Sequence, residues 1–142
     1  FPRRRFDYEV TASALRGETS MKYLCLIYVD DQRLARLSDV EYRRLMDECF
    51  ANDEYQRRAG RVLASEALET VETATTLRHE PAGLSIIDGP FAETREYLGG
   101  FVLIDARDLN EALQIAQRIP SGRLGAVEVR PVRDWDRYFA GR

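Results

Sequence analysis

The run Met21-Lys22-Tyr23-Leu24-Cys25-Leu26-Ile27-Tyr28-Val29 constrains the fold more than any other stretch of this chain. It is aliphatic and aromatic with a single charge, the composition of a strand. Tyr23, Cys25 and Ile27 point one way, and Leu24, Leu26 and Tyr28 point the other. Both faces are apolar, so the strand belongs in the middle of a sheet that is covered on both sides. The chain must build two covering layers, or build one and borrow the other.

Helices build the first layer. Ser38 followed by Glu41 forms a capping box, which predicts a helix start. Tyr42, Leu45, Met46, Cys49 and Phe50 follow on one helical face, with Arg43, Arg44, Asp47 and Glu48 opposite. Gly60 suits the C-terminal cap. Asp108 repeats the capping logic ahead of Leu109, Ala112, Leu113 and Ala116, and Ile119-Pro120 ends that second helix. Further strands are predicted at 61–68, 74–80, 100–105 and 126–132. A turn at Pro81-Ala82-Gly83 lets Leu84–Ile87 pair back on the third as a hairpin. Asp30-Asp31-Gln32 reads as a polar turn, and 134–142 as a tail without an assigned element.

The order strand, helix, strand, strand, helix, strand predicts an α+β fold. It is the ferredoxin-like βαββαβ arrangement, an antiparallel sheet with two helices on one face. The other face must be covered by a partner, and a symmetric homodimer is the simplest one. Two sheets packed face to face would enclose a cavity, as in a dimeric α+β barrel. No internal repeat or second domain is expected.

The 142 residues are enough for one domain with a core that needs no disulfide or metal staple. Residues 1–20 lack sustained periodicity. The expectation is an N-terminal extension outside the fold, a natural start at Met21, and a domain over 21–133. Within that extension Arg3-Arg4-Arg5 reads as a solvated tail. Net charge is -3, with basic residues interspersed among acids, so no nucleic-acid or anionic-membrane footprint is present. No apolar stretch approaches the ~20 residues that span a bilayer, and residues 1–20 hold no apolar signal core. Cys25 and Cys49, one in a strand and one on a helix stripe, read as buried small hydrophobes, as suits a reducing cytoplasm. His79 is the sole histidine, and neither it nor the cysteines have zinc-ligand spacing. No metal or cofactor is expected.

The densest chemistry lies in Asp88-Gly89-Pro90-Phe91-Ala92-Glu93-Thr94-Arg95-Glu96, followed by Leu98-Gly99-Gly100-Phe101. Adjacent strands need only two to five connecting residues, so such a block does more than connect. Asp88 either ties down a tight turn or presents a carboxylate to the dimer cavity as a general acid or base. Glu93, Arg95 and Glu96 are either a solvated loop or an anion-recognising arginine held by carboxylates. A helical turn there would set the two glutamates on one face. Gly99-Gly100 marks a bulge or a close backbone approach. Glu128 and Arg130 alternate with Val127 and Val129, and so face away from the helices, paired with each other or across the dimer. Glu66 and Arg78 interrupt their strands in the same way, and Tyr28 offers a hydroxyl to the same cavity. His79 reads as an ordinary strand-end residue. No serine or cysteine has a nucleophile context.

The block Asp88 to Glu96 resembles the signature of the YCII-related proteins, with Arg95 where that signature carries lysine. Met21 to Tyr28, Leu98 to Phe101, Ala116 to Pro120 and Val127 to Pro131 also resemble the family pattern, so the likeness runs from about Met21 to Val132. The resemblance implies a dimeric α+β barrel with a ferredoxin-like subunit, in bacterial cytoplasmic proteins often encoded near extracytoplasmic-function sigma factors. It leaves the biochemical function largely open. Distant relatives include lyases and dehydrochlorinases with an Asp-His pair, and this chain has no histidine in the matching place. Arginine at 95 also excludes Schiff-base chemistry there.

Two functions are therefore expected. One is binding of a small polar or anionic metabolite with cofactor-free acid–base chemistry. Asp88 would be the acid or base, Arg95 or Arg130 the anion partner, and Glu66 or Glu128 support. The other is a non-catalytic accessory that senses a ligand or contacts a sigma factor.

Overall fold

The computed structural model describes residues 20–142. The extension and the Arg3-Arg4-Arg5 tail lie outside the described residues. β1 (Met21–Asp30) runs inside a four-stranded sheet, between β5 (Glu96–Ala106) and β6 (Gly125–Pro131), with β2 (Val62–Ala67) on the far side of β5. Every pairing is antiparallel. The sheet order β2-β5-β1-β6 is compatible with a ferredoxin-like α+β fold.

Helices cover the face that carries Tyr23, Cys25 and Ile27. α1 (Asp31–Ala35) follows β1 directly, α2 (Asp39–Arg58) connects onward to β2, and α3 (Leu109–Ala116) connects β5 to β6. Ala112, Ile115 and Ala116 of α3 pack on Tyr23, Cys25, Ile27, Val102 and Ile104. Leu45 of α2 packs on Val29 and Leu124. Both predicted caps form: Ser38 and Glu41 make the reciprocal capping box, and Asp108 accepts from Glu111 N. Two short helices escape a reading of periodicity. In α1, Asp30 caps the polar stretch read as a turn, accepting from Gln32 N and Arg33 N. In α4 (Trp135–Ala140), Asp134 is the cap. Single helical turns are too short to show a repeat.

β3 (Thr75–Glu80) and β4 (Gly83–Asp88) form the predicted hairpin, but as a separate two-stranded sheet. The strand paired along β1 is β5. The reason is apolar surface: in β3 five of six residues are exposed, whereas Val102, Ile104 and Ala106 of β5 are buried against α3. Gly99 and Gly100 act as expected. The β1–β5 register slips between Ile27 and Tyr28, leaving Gly99 as the extra residue of a bulge. A side chain at Gly100 would put its Cβ 2.7 Å from the Glu66 carbonyl oxygen.

No described helix covers the opposite face of the sheet. Leu24, Leu26, Phe101 and Leu103 stand there half-buried. No helix among the described residues is long and apolar enough to cross a membrane.

Candidate functional site

Strand register sets the polar groups of this uncovered face in rows. Glu128, Leu26, Phe101 and Glu66 lie side by side across all four strands. The next row holds Ala126, Tyr28 and Leu98, and the row on the other side holds Arg130, Leu24 and Leu103. Tyr28 donates its hydroxyl to Glu128 Oε1 at 3.3 Å. Burial, then the Glu128 charge and this hydrogen bond, push the Tyr28 phenol above its ordinary pKa, while Arg130 pulls it partly back. Tyr28 is thus a neutral donor at physiological pH, beside a carboxylate. Arg130 is exposed and makes no ion pair among the described residues.

The signature loop reaches the same face at its far end. Tyr28, Asp30, Thr94, Arg95, Glu96 and Ala126 line a shallow groove. Arg95 lies 3.4 Å from Asp30, and its carbonyl accepts from Asp31 N. Burial alone would raise the Asp30 pKa. The backbone N–H groups of Gln32 and Arg33 and the Arg95 guanidinium outweigh it and hold the carboxyl below the usual range. Arg95 is therefore occupied by an internal carboxylate, and Asp30 is a residue that sequence reasoning missed. The helical turn considered for Glu93 to Glu96 does not form, because Glu96 already opens β5 and the loop before it is irregular.

Asp88 ends β4, paired with Thr75. Its carboxylate makes no hydrogen bond or ion pair among the described residues. The turn is closed by other groups: Gly89 N donates to Ala74 O, and Thr76 Oγ1 donates to Gly89 O at 2.8 Å. Gly89 itself has φ 120°, a conformation that suits glycine. Arg78 of β3 stacks over the Phe91 ring at 5.1 Å. Glu93 is exposed. The structure brings Tyr28, Glu66, Glu128 and Arg130 onto one face, with Arg95 and Glu96 at its end. Asp88, Arg78 and Glu93 belong to the hairpin and its loop, not to the four-stranded sheet.

A second cavity, of about 530 Å³, lies on the helix side, between α2 and the sheet. Its walls include Val29, Met46, Val102 and Ile115. Gln56 of α2 also lines it; the residue is fully buried, and neither side-chain amide atom has a hydrogen-bond partner among the described residues. Asp53, Arg57 and Ser65 beside it form a closed network. Arg57 donates to Asp53 at 2.6 Å and to Ser65 at 3.0 Å, and Ser65 donates to Asp53 at 2.6 Å. Gln56 was legible in principle, being a polar residue in phase with the stripe through Leu45 and Cys49. No cluster of three or more metal-ligating side chains occurs among the described residues.

An antiparallel α+β sheet, helices on one face, a polar row on the other and an irregular acidic loop against its end define a small α+β domain with a candidate ligand-binding face. The model of the YCII-related domain matches residues 21–136, and the chain belongs to that family. An uncharacterized protein of Rhizobium meliloti (strain 1021) is 37% identical over 114 residues, covering 79% of this chain and 92% of that protein.

Proposed function

We propose that this protein works as a homodimer joined through its uncovered sheet face, and that it binds a small polar or anionic molecule there. The reading extends to cofactor-free acid–base chemistry of the elimination or isomerisation kind. One observation carries it: the polar row on an otherwise apolar face. A second copy packed on Leu24, Leu26, Phe101 and Leu103 would bury Glu128, Glu66 and Arg130, and buried charges need partners. A bound anion satisfies Arg130, while the single Tyr28 hydroxyl proton holds Glu128. Arg130 takes the role of anion partner because Arg95 is held by Asp30. Asp88, whose carboxylate the turn does not use, is the acid or base of this reading, and to act there it would have to reach the face from the hairpin of the second copy. The unpaired Cys25 and Cys49 support work in a reducing cytoplasm.

The test is a thermal-shift screen of the purified protein against a metabolite library, since a ligand of the folded state raises stability by mass action. The reading expects an anionic or polar hit that Arg130→Ala and Glu128→Gln weaken. Asp88→Asn should bind that hit but fail to turn it over. A hit indifferent to Arg130→Ala and Glu128→Gln, or no hit among polar and anionic compounds, would overturn it. A second reading, a ligand-sensing accessory that contacts a sigma factor, is favoured by the hairpin, where Leu77, Leu84 and Ile86 share one exposed apolar face.

A further inference from the structure

We propose that the β3–β4 hairpin is an exchanged arm: its apolar face lies on the uncovered sheet face of a second copy, and it carries Asp88 to the Arg130 of that copy. The inference rests on the homodimer read above and names the part of the second copy that completes the site.

The hairpin does not account for its own stability. A two-stranded sheet is marginal at best in water unless another surface packs on it. Among the described residues this one packs chiefly on itself. Cross-strand pairing sets Leu77 opposite Ile86 and Leu84 opposite His79 on one face, and Leu77, Leu84 and Ile86 are all exposed. The four-stranded sheet has the converse deficit, since Leu24, Leu26, Phe101 and Leu103 have no covering layer. If each copy gives its hairpin and receives the other's, both deficits close in one symmetric pair.

The two surfaces also match in charge. Asp88, opposite Thr75, shares the apolar face of the hairpin with His79, which stands four residues along from Thr75. A carboxylate and an imidazole donor thus stand about 14 Å apart, with Leu77, Leu84 and Ile86 between them. On the sheet, Arg130 lies one row and three strands away from Glu66, about 16 Å, with Leu24, Leu26, Leu103 and Phe101 between them. Laid across the sheet, the hairpin sets Asp88 against Arg130 and His79 against Glu66. Neither Asp88 nor Arg130 has an ion-pair partner in its own chain among the described residues. The five N–H donors of Arg130 suffice for Asp88 and a bound anion together.

The experiment mixes two full-chain variants, Asp88→Arg and Arg130→Asp, and reads homodimers and mixed dimers by native mass spectrometry and sedimentation. Alone, each variant sets like charges together at both exchanged contacts, so each should dimerise at least about tenfold more weakly than the wild type. In the mixed dimer both contacts join opposite charges, so mixed dimers should exceed the share that random pairing gives. Asp88→Asn keeps an acceptor for Arg130 and should dimerise like the wild type. Random pairing, or either charge reversal dimerising as tightly as the wild type, overturns the arm. A wild-type dimer that Phe101→Asp splits but the charge reversals leave intact overturns the arm alone; a wild type that is a single chain overturns it together with the homodimer. The methyls of Leu77, Leu84 and Ile86 should also shift between the wild-type dimer and single-chain Phe101→Asp. Unmoved methyls leave the hairpin to a different protein and overturn the arm even if the charge reversals do not fold.

Discussion

Asp88 illustrates how a single side chain separates two accounts of one loop. Had it closed the turn, its removal would orphan a backbone group. The turn is instead closed by Thr76 and the Gly89 amide. Asp88→Asn should therefore change unfolding free energy by less than about 0.5 kcal/mol, while Thr76→Val should destabilise by about 1 kcal/mol. Urea denaturation of the two variants checks both, and the reverse order would make Asp88 a structural residue. Asp30 carries a pH signature. Its folded-state pKa is depressed, so its contribution is present above the unfolded carboxylate value and is lost as pH falls through the folded one. The melting temperature should thus fall on acidification below about pH 4, and Asp30→Asn should flatten that fall. Parallel pH–Tm curves for the two proteins would contradict it.

At the scale of elements, much was legible. Capping residues at Ser38 and Asp108 are local chemistry, and local chemistry survives folding. The hairpin was legible for the same reason. What could not be read was which strand pairs with β1. That choice is non-local and was settled by the buried side chains of β5, whereas β3 offers little apolar surface. The site shows the same division. Alternation alone placed Glu128 and Arg130 opposite the helices, but the Tyr28–Glu128 bond depends on the β1–β6 register. Arg95 looked available until the end of β1 brought Asp30 to it. Gly100 ties β5 to β2 through a close backbone approach, so Gly100→Ala should destabilise by about 1–3 kcal/mol. Thermal unfolding would show this, and an unchanged Tm would mean that the approach relaxes freely. Cys25 sits fully buried on the central strand, and burial pushes its thiol up to about 11. Cys49 is only half-buried, though burial raises its thiol too, so iodoacetamide should label it slowly in the native protein and leave Cys25 unmodified until denaturant is added.

The molecule as a whole has one covered sheet face and one that is not. The helix side holds two apolar clusters and the Gln56 cavity. The other side sets four half-buried hydrophobic residues among charges in fixed rows. A second copy laid on that face would convert the half-buried apolar surface into an interface and the polar row into an enclosed site. Leu26 and Phe101 stand in the middle of that face, so a charge there opposes pairing without touching the helix-side core. Sedimentation velocity on the wild type and on Phe101→Asp tests this most directly. The wild type should sediment at twice the chain mass, and Phe101→Asp as a folded protein of single chain mass. A wild type that sediments as a single chain at micromolar concentration, or a dimer that Phe101→Asp leaves intact, would contradict it.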